Sequence, residues 1–406
     1  LWKRTNQDIM TPSERYVDNL CKKSFLPFWS FPNPLGKKGK ELCDVLVVCG
    51  HTIILISVKD IKVTNHKDRT VQYKRWVNKA VDDSIKQLYG AERFLKNVDE
   101  VKLKNRFTKV ALPDKKKRTI YRIAIAFGSD YDFPLQMGMN KSGFVHVFDE
   151  KSTATMISEL DTITDFTRYL SAKEDFLASN HMLLPEETDF FALYIQTGLE
   201  FDYPVDAIAG SGGLWESYIN SEDYKDWQKR IVPSFIWDYM ITQLHTYHIK
   251  DETNSQQIQD LENAIRIINQ EDRIHRTELG LALDNAIKRK SKGRMLLPQK
   301  DAEHMYVFMP LTQKNWELKE SELELRCIVA RYLNPTINTV IGIAIGSNGT
   351  DDSVYDICYH HIPELTDDFV KHAKEIQQEL GYFSNPKQSS NSEYSIKDFD
   401  GFGIKY

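Results

Sequence analysis

The sequence is short of most features that would fix a class at sight. No apolar run in its 406 residues approaches the roughly 20 residues of a membrane-spanning helix, so no membrane association is expected. No secretory signal is visible, and the first residue is Leu1 rather than Met. The five cysteines (Cys21, Cys43, Cys49, Cys327 and Cys358) are scattered and form no CxxC pair. Reduced thiols in a cytoplasmic protein are the expectation, not a disulfide framework or a zinc ribbon. Gly210-Ser211-Gly212-Gly213 has no following Lys-Ser/Thr, so it reads as a loop and not a phosphate cradle. His245 and His248 share a helical face but lack a third ligand at zinc spacing. There is no zinc-finger or RRM signature, no internal repeat and no heptad run. An excess of positive charge is missing too: the net charge is −5, which argues against strong nonspecific nucleic-acid binding.

Hydrophobic content of 41% and charged content of 27% are ordinary for a globular chain, and the length allows about two or three domains. Residues 1–150 read as α/β, 151–300 as mostly helical and 301–406 as α/β again. In the middle part a long amphipathic segment over Tyr224–Tyr247 should break at Pro233. Three basic clusters punctuate the chain: Lys37, Lys38 and Lys40; Lys115–Arg118; and Lys288, Arg289, Lys290, Lys292 and Arg294. Such runs are usually solvated, although the first lies close enough to Asp44 to steer a phosphate backbone.

The most informative stretch is Asp44–Asp60. Val45–Val48 and Ile53–Ile56 are β-branched runs separated by Cys49-Gly50-His51-Thr52, with Gly where a type II′ hairpin turn prefers it. That turn pairs Cys49 with Thr52 and hence Asp44 with Ser57, whose Cβ atoms would lie roughly 5 Å apart. Lys59, two residues on, falls on the same face. A carboxylate, a hydroxyl and an ammonium thus converge at one end of an apolar hairpin.

This layout resembles the core of the PD-(D/E)xK, or restriction-endonuclease-like, nuclease superfamily. In that family an Asp opens one strand and an acidic-x-Lys tripeptide ends the next. The match here is Asp44 and Ser57-Val58-Lys59, with Ser in place of the second acidic residue. Thr11-Pro12-Ser13-Glu14 starts a helix, and Glu14 matches the acidic residue of the family's first helix; a capping box explains it equally well. Gln87-Leu88-Tyr89-Gly90-Ala91, on a helix expected from about Tyr73 to Leu95, looks like the Gln motif of RecB-type nucleases. The resemblance covers roughly residues 11–130.

The resemblance implies a restriction-endonuclease-like domain over 1–150, followed by the helical domain 151–300 and the α/β domain 301–406. It implies a metal-dependent endonuclease acting on nucleic acid, DNA ahead of RNA. Asp44, Ser57, Lys59, Glu14 and Gln87 would form the site, Asp44 and Glu14 would hold Mg²⁺ or Mn²⁺, and Lys59 would stand beside the attacking water. Asp60 could supply the missing carboxylate only if a bulge rotated the strand, and Glu41 is hard to place. Cutting both strands is simplest for a homodimer. The long remainder resembles that of bacterial anti-phage defence effectors, where it would serve recognition or regulation through a partner protein. Two alternatives stay open. One is a degenerate nuclease fold that binds nucleic acid or a partner. The other is a plain Asp44–Lys59 salt bridge, with the function elsewhere.

Overall fold

A computed structural model describes residues 10–63, 66–104, 108–129, 138–140, 143–201, 207–248, 255–297, 302–347 and 353–385. The protein is mixed α/β and divides into two compact units, 1–226 and 227–406. The division falls inside the region expected as the helical domain 151–300. The reason is packing. Glu150–Glu159 lies against the first sheet and helix Pro12–Ser24. Helix Arg273–Lys288 packs on the strand His304–Pro310.

In the first unit, Pro12–Ser24 begins with a complete capping box. The Glu14 amide donates to Thr11 Oγ1 (3.3 Å) and the Thr11 amide donates to Glu14 Oε2 (2.9 Å). A five-stranded sheet follows, in spatial order Ser30–Pro32, Val45–Cys49, Thr52–Asp60, Thr119–Phe127, His146–Phe148. The first three strands pair antiparallel; the last two join in parallel. The hairpin has the register implied by its turn, Cys49 opposite Thr52 through Val45 opposite Ile56, and Gly50 takes the positive φ of 58° that the turn demands.

The parallel step from Thr52–Asp60 to Thr119–Phe127 needs a crossover. Its main body is one unbroken helical rod: Arg69–Val77, a π turn at Asn78–Asp82, and Asp83–Leu95. The rod buries Trp76, Leu88, Ala91 and Leu95 against Leu46, Val48, Ile53 and Leu55. Alternation sends Val45, Val47, Ile54 and Ile56 to the opposite face, which Pro12–Ser24 helps to cover. The two central strands are buried on both faces, which is why they read as continuous apolar runs.

Residues 97–117 contain two short strands, Glu100–Leu103 and Lys109–Ala111, which pair with each other; the first also pairs with Pro34–Leu35. The stretch Gly143–Phe148 is split, and only His146–Phe148 joins the main sheet. Helix Ile163–Ser179 is capped by Thr162.

The second unit carries a four-stranded sheet in the order Arg294–Met295, His304–Pro310, Thr339–Ser347, Ser353–His361. Lys319–Leu333 makes the crossover between its parallel pair. The helix lies so close at Gly342 that a Cβ there would stand 2.5 Å from Cys327 Sγ. Pro233 breaks the long helical segment into Glu222–Arg230, a 3₁₀ turn at Val232–Ser234, and Phe235–His248. Among the described residues no helix is long and apolar enough to cross a membrane.

Candidate active site

Asp44 is the last residue before the strand Val45–Cys49, and its backbone is held on both sides. Its N–H donates to the Ile56 carbonyl (3.0 Å), and its own carbonyl accepts from the Asn33 amide (3.0 Å). The hairpin ladder ends at Val45–Ile56, and Asp44 bonds to Ile56 as well, so the expected Asp44–Ser57 pair is not a rung of it. The carboxylate is 2% exposed. One oxygen, Oδ2, accepts the Val58 N–H at 2.6 Å. Among the described residues nothing donates to the other, and no cation lies within ion-pair distance of either.

Burial therefore dominates its titration and pushes the pKa up to about 7. The Val58 amide and the positive charge of Lys59 pull it down, and Glu14 and Glu41 add to the rise. These influences also show that Glu14, Glu41 and Lys59 lie within electrostatic reach of Asp44. The salt-bridge alternative needs an Asp44–Lys59 contact, and among the described residues Lys59 makes none.

Ser57 is completely buried, and its hydroxyl donates to Gln87 Oε1 at 3.1 Å. It does not face solvent, so it braces Gln87 and does not offer a ligand. Gln87 correspondingly holds Ser57. Glu14 is half-buried, with one oxygen engaged in the capping box. The strand runs without a bulge through Asp60, which pairs with Phe127. Asp60 instead accepts from the Ser13 hydroxyl, tying the strand end to the first helix. Glu41 is also spoken for, by Lys104 Nζ at 3.2 Å.

The donors present suit a hard divalent cation of the Mg²⁺ type. Such an ion takes one or two protein carboxylates and fills its remaining positions with water and phosphate oxygens. Asp44 and Glu14 supply that number, and a cation between them would relieve the repulsion that helps to raise Asp44. Among the described residues no group of three or more His, Cys, Asp or Glu could hold a metal, so a cage made wholly of protein ligands is not what the site offers.

The basic clusters separate on inspection. Lys37, Lys38 and Lys40 are exposed. In the second cluster Lys115 pairs with Asp99 (2.9 Å), and the Arg118 guanidinium is buried on the carbonyls of Leu95, Val98 and Pro113. In the third, Lys288 pairs with Asp284 (3.1 Å), and Arg294 reaches Ala282 and Asn285. His146 is a packed strand histidine, fully buried with Nε2 against Glu174 (3.0 Å).

Sequence reasoning missed Val58, whose backbone amide is the one hydrogen-bond partner of the Asp44 carboxylate among the described residues. The spacing carried no signal for it, because the ladder ends at Val45–Ile56, one residue short of Asp44. No protein-family model matches the chain, and comparison with curated proteins and with solved structures yields no match either.

Proposed function

We propose that the first unit is a nuclease domain of the PD-(D/E)xK type, hydrolysing phosphodiester bonds of nucleic acid, DNA ahead of RNA, with Mg²⁺ or Mn²⁺. The single observation that carries this is the Asp44 carboxylate, 2% exposed yet without a cationic partner among the described residues, with Glu14 and Lys59 near enough to act on its charge. Burying a carboxylate unpaired is costly, and such groups are retained where they bind or react.

Asp44 and Glu14 would hold the metal ion, which when bound supplies Lewis-acid polarisation of the scissile phosphate. Lys59 stands on the same face, beside the position of the attacking water, and its ammonium offsets the negative charge that builds on the phosphoryl oxygens as the leaving oxygen departs. The Ser57–Gln87 hydrogen bond fixes the floor beneath these groups. The burial of Ser57 favours a second reading, a domain that keeps the fold and binds nucleic acid without cutting it.

The test is cleavage of plasmid, linear duplex, single-stranded DNA and RNA with Mg²⁺, Mn²⁺ or EDTA, beside Asp44→Ala and Lys59→Ala. Metal-dependent cleavage lost in both variants supports the nuclease. Binding without cleavage by the wild-type protein would replace it with the second reading.

A further inference from the structure

The charge of the chain is distributed against its average in one place. Residues 62–79 hold six basic side chains, Lys62, Lys67, Arg69, Lys74, Arg75 and Lys79, against one acid, Asp68. That is a net +5 in a protein of net −5. Asp68 is moreover the helix N-cap, its Oδ1 accepting the amides of Thr70 (2.8 Å) and Val71 (3.4 Å). Much of this charge sits on the first segment of the crossover rod.

There the burial pattern is clean. Trp76, Val77, Ala80 and Val81 are buried, while Lys74, Arg75, Asn78 and Lys79 are exposed. Positions 74, 75, 78 and 79 recur at the i, i+1, i+4, i+5 spacing of one helix face. Among the described residues Lys74, Arg75 and Lys79 have no carboxylate partner, unlike Lys86, which pairs with Asp83 just beyond (3.0 Å).

The rod also ties this face to the site. The Trp76 indole N–H donates to the Ile61 carbonyl at 2.7 Å, two residues past Lys59. The same rod, continuing through the π turn at Asn78–Asp82, delivers Gln87 to Ser57. Single π turns within helices are rare and recur at functional sites. The rod that carries Lys74, Arg75 and Lys79 thus also carries the side chains that bond to the Ser57–Ile61 segment.

We propose that the exposed face Lys74–Arg75–Lys79 is the track on which the sugar-phosphate backbone of a nucleic acid lies as it approaches Asp44 and Lys59. The inference rests on the nuclease reading and names the surface that delivers its substrate. Three unpaired cations on successive turns match a polyanion of regular spacing, and phosphate contacts of this kind position a strand without reading its sequence.

The experiment compares wild-type protein with Lys74→Ala/Arg75→Ala/Lys79→Ala, alanine being the residue that best preserves a helix. Lys115→Ala/Lys116→Ala/Lys117→Ala, from the run in which Lys115 is paired, is the control. Binding of a fluorescein-labelled 30-bp DNA duplex and of a single-stranded RNA of the same length is measured in EDTA from 50 to 200 mM salt. Hydrolysis of bis(p-nitrophenyl) phosphate with Mn²⁺ is followed in parallel. The expected result is at least a tenfold loss of affinity at low salt on one or both polymers in the helix variant. The salt slope should become shallower by about 2 to 3 for duplex, near 0.9 per lost phosphate contact. The control should bind as wild type, and small-diester hydrolysis should be retained in both.

Wild-type affinity and slope in the helix variant, an equal loss in the control, or no nucleic-acid binding by the wild-type protein would each overturn the proposal. The two readings fail separately. Cleavage that depends on Asp44 and Lys59 but is indifferent to the helix face would sink the track alone. Binding that depends on the helix face in a protein that cleaves no substrate would sink the nuclease alone.

Discussion

Both units bury carboxylates, and one from each, Asp44 and Glu271, behave oppositely. Asp44 is 2% exposed and Glu271 is 9% exposed, and in both burial is the largest influence on titration. Asp44 is driven up to about 7, whereas Glu271 is held down to about 2. The difference lies in the partners. Glu271 is met by His275 Nδ1 (2.5 Å), His304 Nε2 (2.7 Å) and the Tyr306 hydroxyl (2.7 Å). Asp44 receives one backbone amide. Donors that saturate a carboxylate favour its charged form and outweigh burial, while a single amide does not.

The largest effect that would break the comparison is catalytic. Asp44→Asn and Lys59→Ala should each lower metal-dependent cleavage by about 10³-fold or more, roughly 4 kcal/mol of transition-state stabilisation. Glu271→Gln should leave cleavage by the first unit within about threefold of wild type, measured on the same substrate. Near-equal losses at both positions would erase the distinction drawn here.

Next in size is stability in the second unit. Glu271→Gln removes the charge that His275 and His304 face, and should cost about 3 kcal/mol in urea denaturation at pH 6. The pH dependence follows. Because the folded pKa of Glu271 lies below its ordinary 4.5, its contribution is present above pH 4.5 and drains away as pH falls towards 2. His275 is raised above its ordinary 6.5, through the hydrogen bond to Glu271 against the opposing effect of burial. Its contribution is present below pH 6.5 and is lost as pH rises through that raised value. The second unit should therefore be most stable between these limits, and a denaturation midpoint that is flat from pH 3 to 8 would contradict this.

Asp44 should show the opposite sign. Its folded pKa is raised from 3.8, so the ionised form costs stability progressively as pH climbs from about 4 to 7. Asp44→Asn should be stabilised over wild type by on the order of 2–3 kcal/mol at pH 8, and by almost nothing at pH 4. Mg²⁺ at a hundred times its dissociation constant should recover about 2.7 kcal/mol for the wild-type protein and none for the variant. A destabilised Asp44→Asn would mean that the carboxylate is structural after all.

How far the sequence disclosed all this depends on the range of the interactions. The hairpin and its register were legible because Gly50 and four β-branched or aliphatic residues on either side act within about a dozen positions. Pro233 was legible because it removes a donor locally. The strands Glu100–Leu103 and Lys109–Ala111 were not, being short, lysine-rich and stabilised by pairing with distant Pro34–Leu35. The Glu271 cluster draws on residues 33 and 35 positions away, and nothing in the spacing of His304 or Tyr306 points to it. The basic face of the crossover helix was not among the clusters the sequence singled out, because Trp76, Val77 and Asn78 separate Lys74 and Arg75 from Lys79, and the three gather only on a helix.

The finest test concerns Ser57, where resemblance and geometry pull apart. The family's position calls for a metal-binding carboxylate, but the side chain here is wholly buried and donates to Gln87 at 3.1 Å. Ser57→Ala deletes that donor and leaves the Gln87 carbonyl to find a new partner, a loss of about 1 kcal/mol in urea denaturation. Since no ligand is removed, cleavage should fall less than tenfold and its Mg²⁺ requirement should not move. A thousandfold loss restored by raising Mg²⁺ would mean that Ser57 does face the metal, and that the unsaturated end of the comparison includes two side chains and not one.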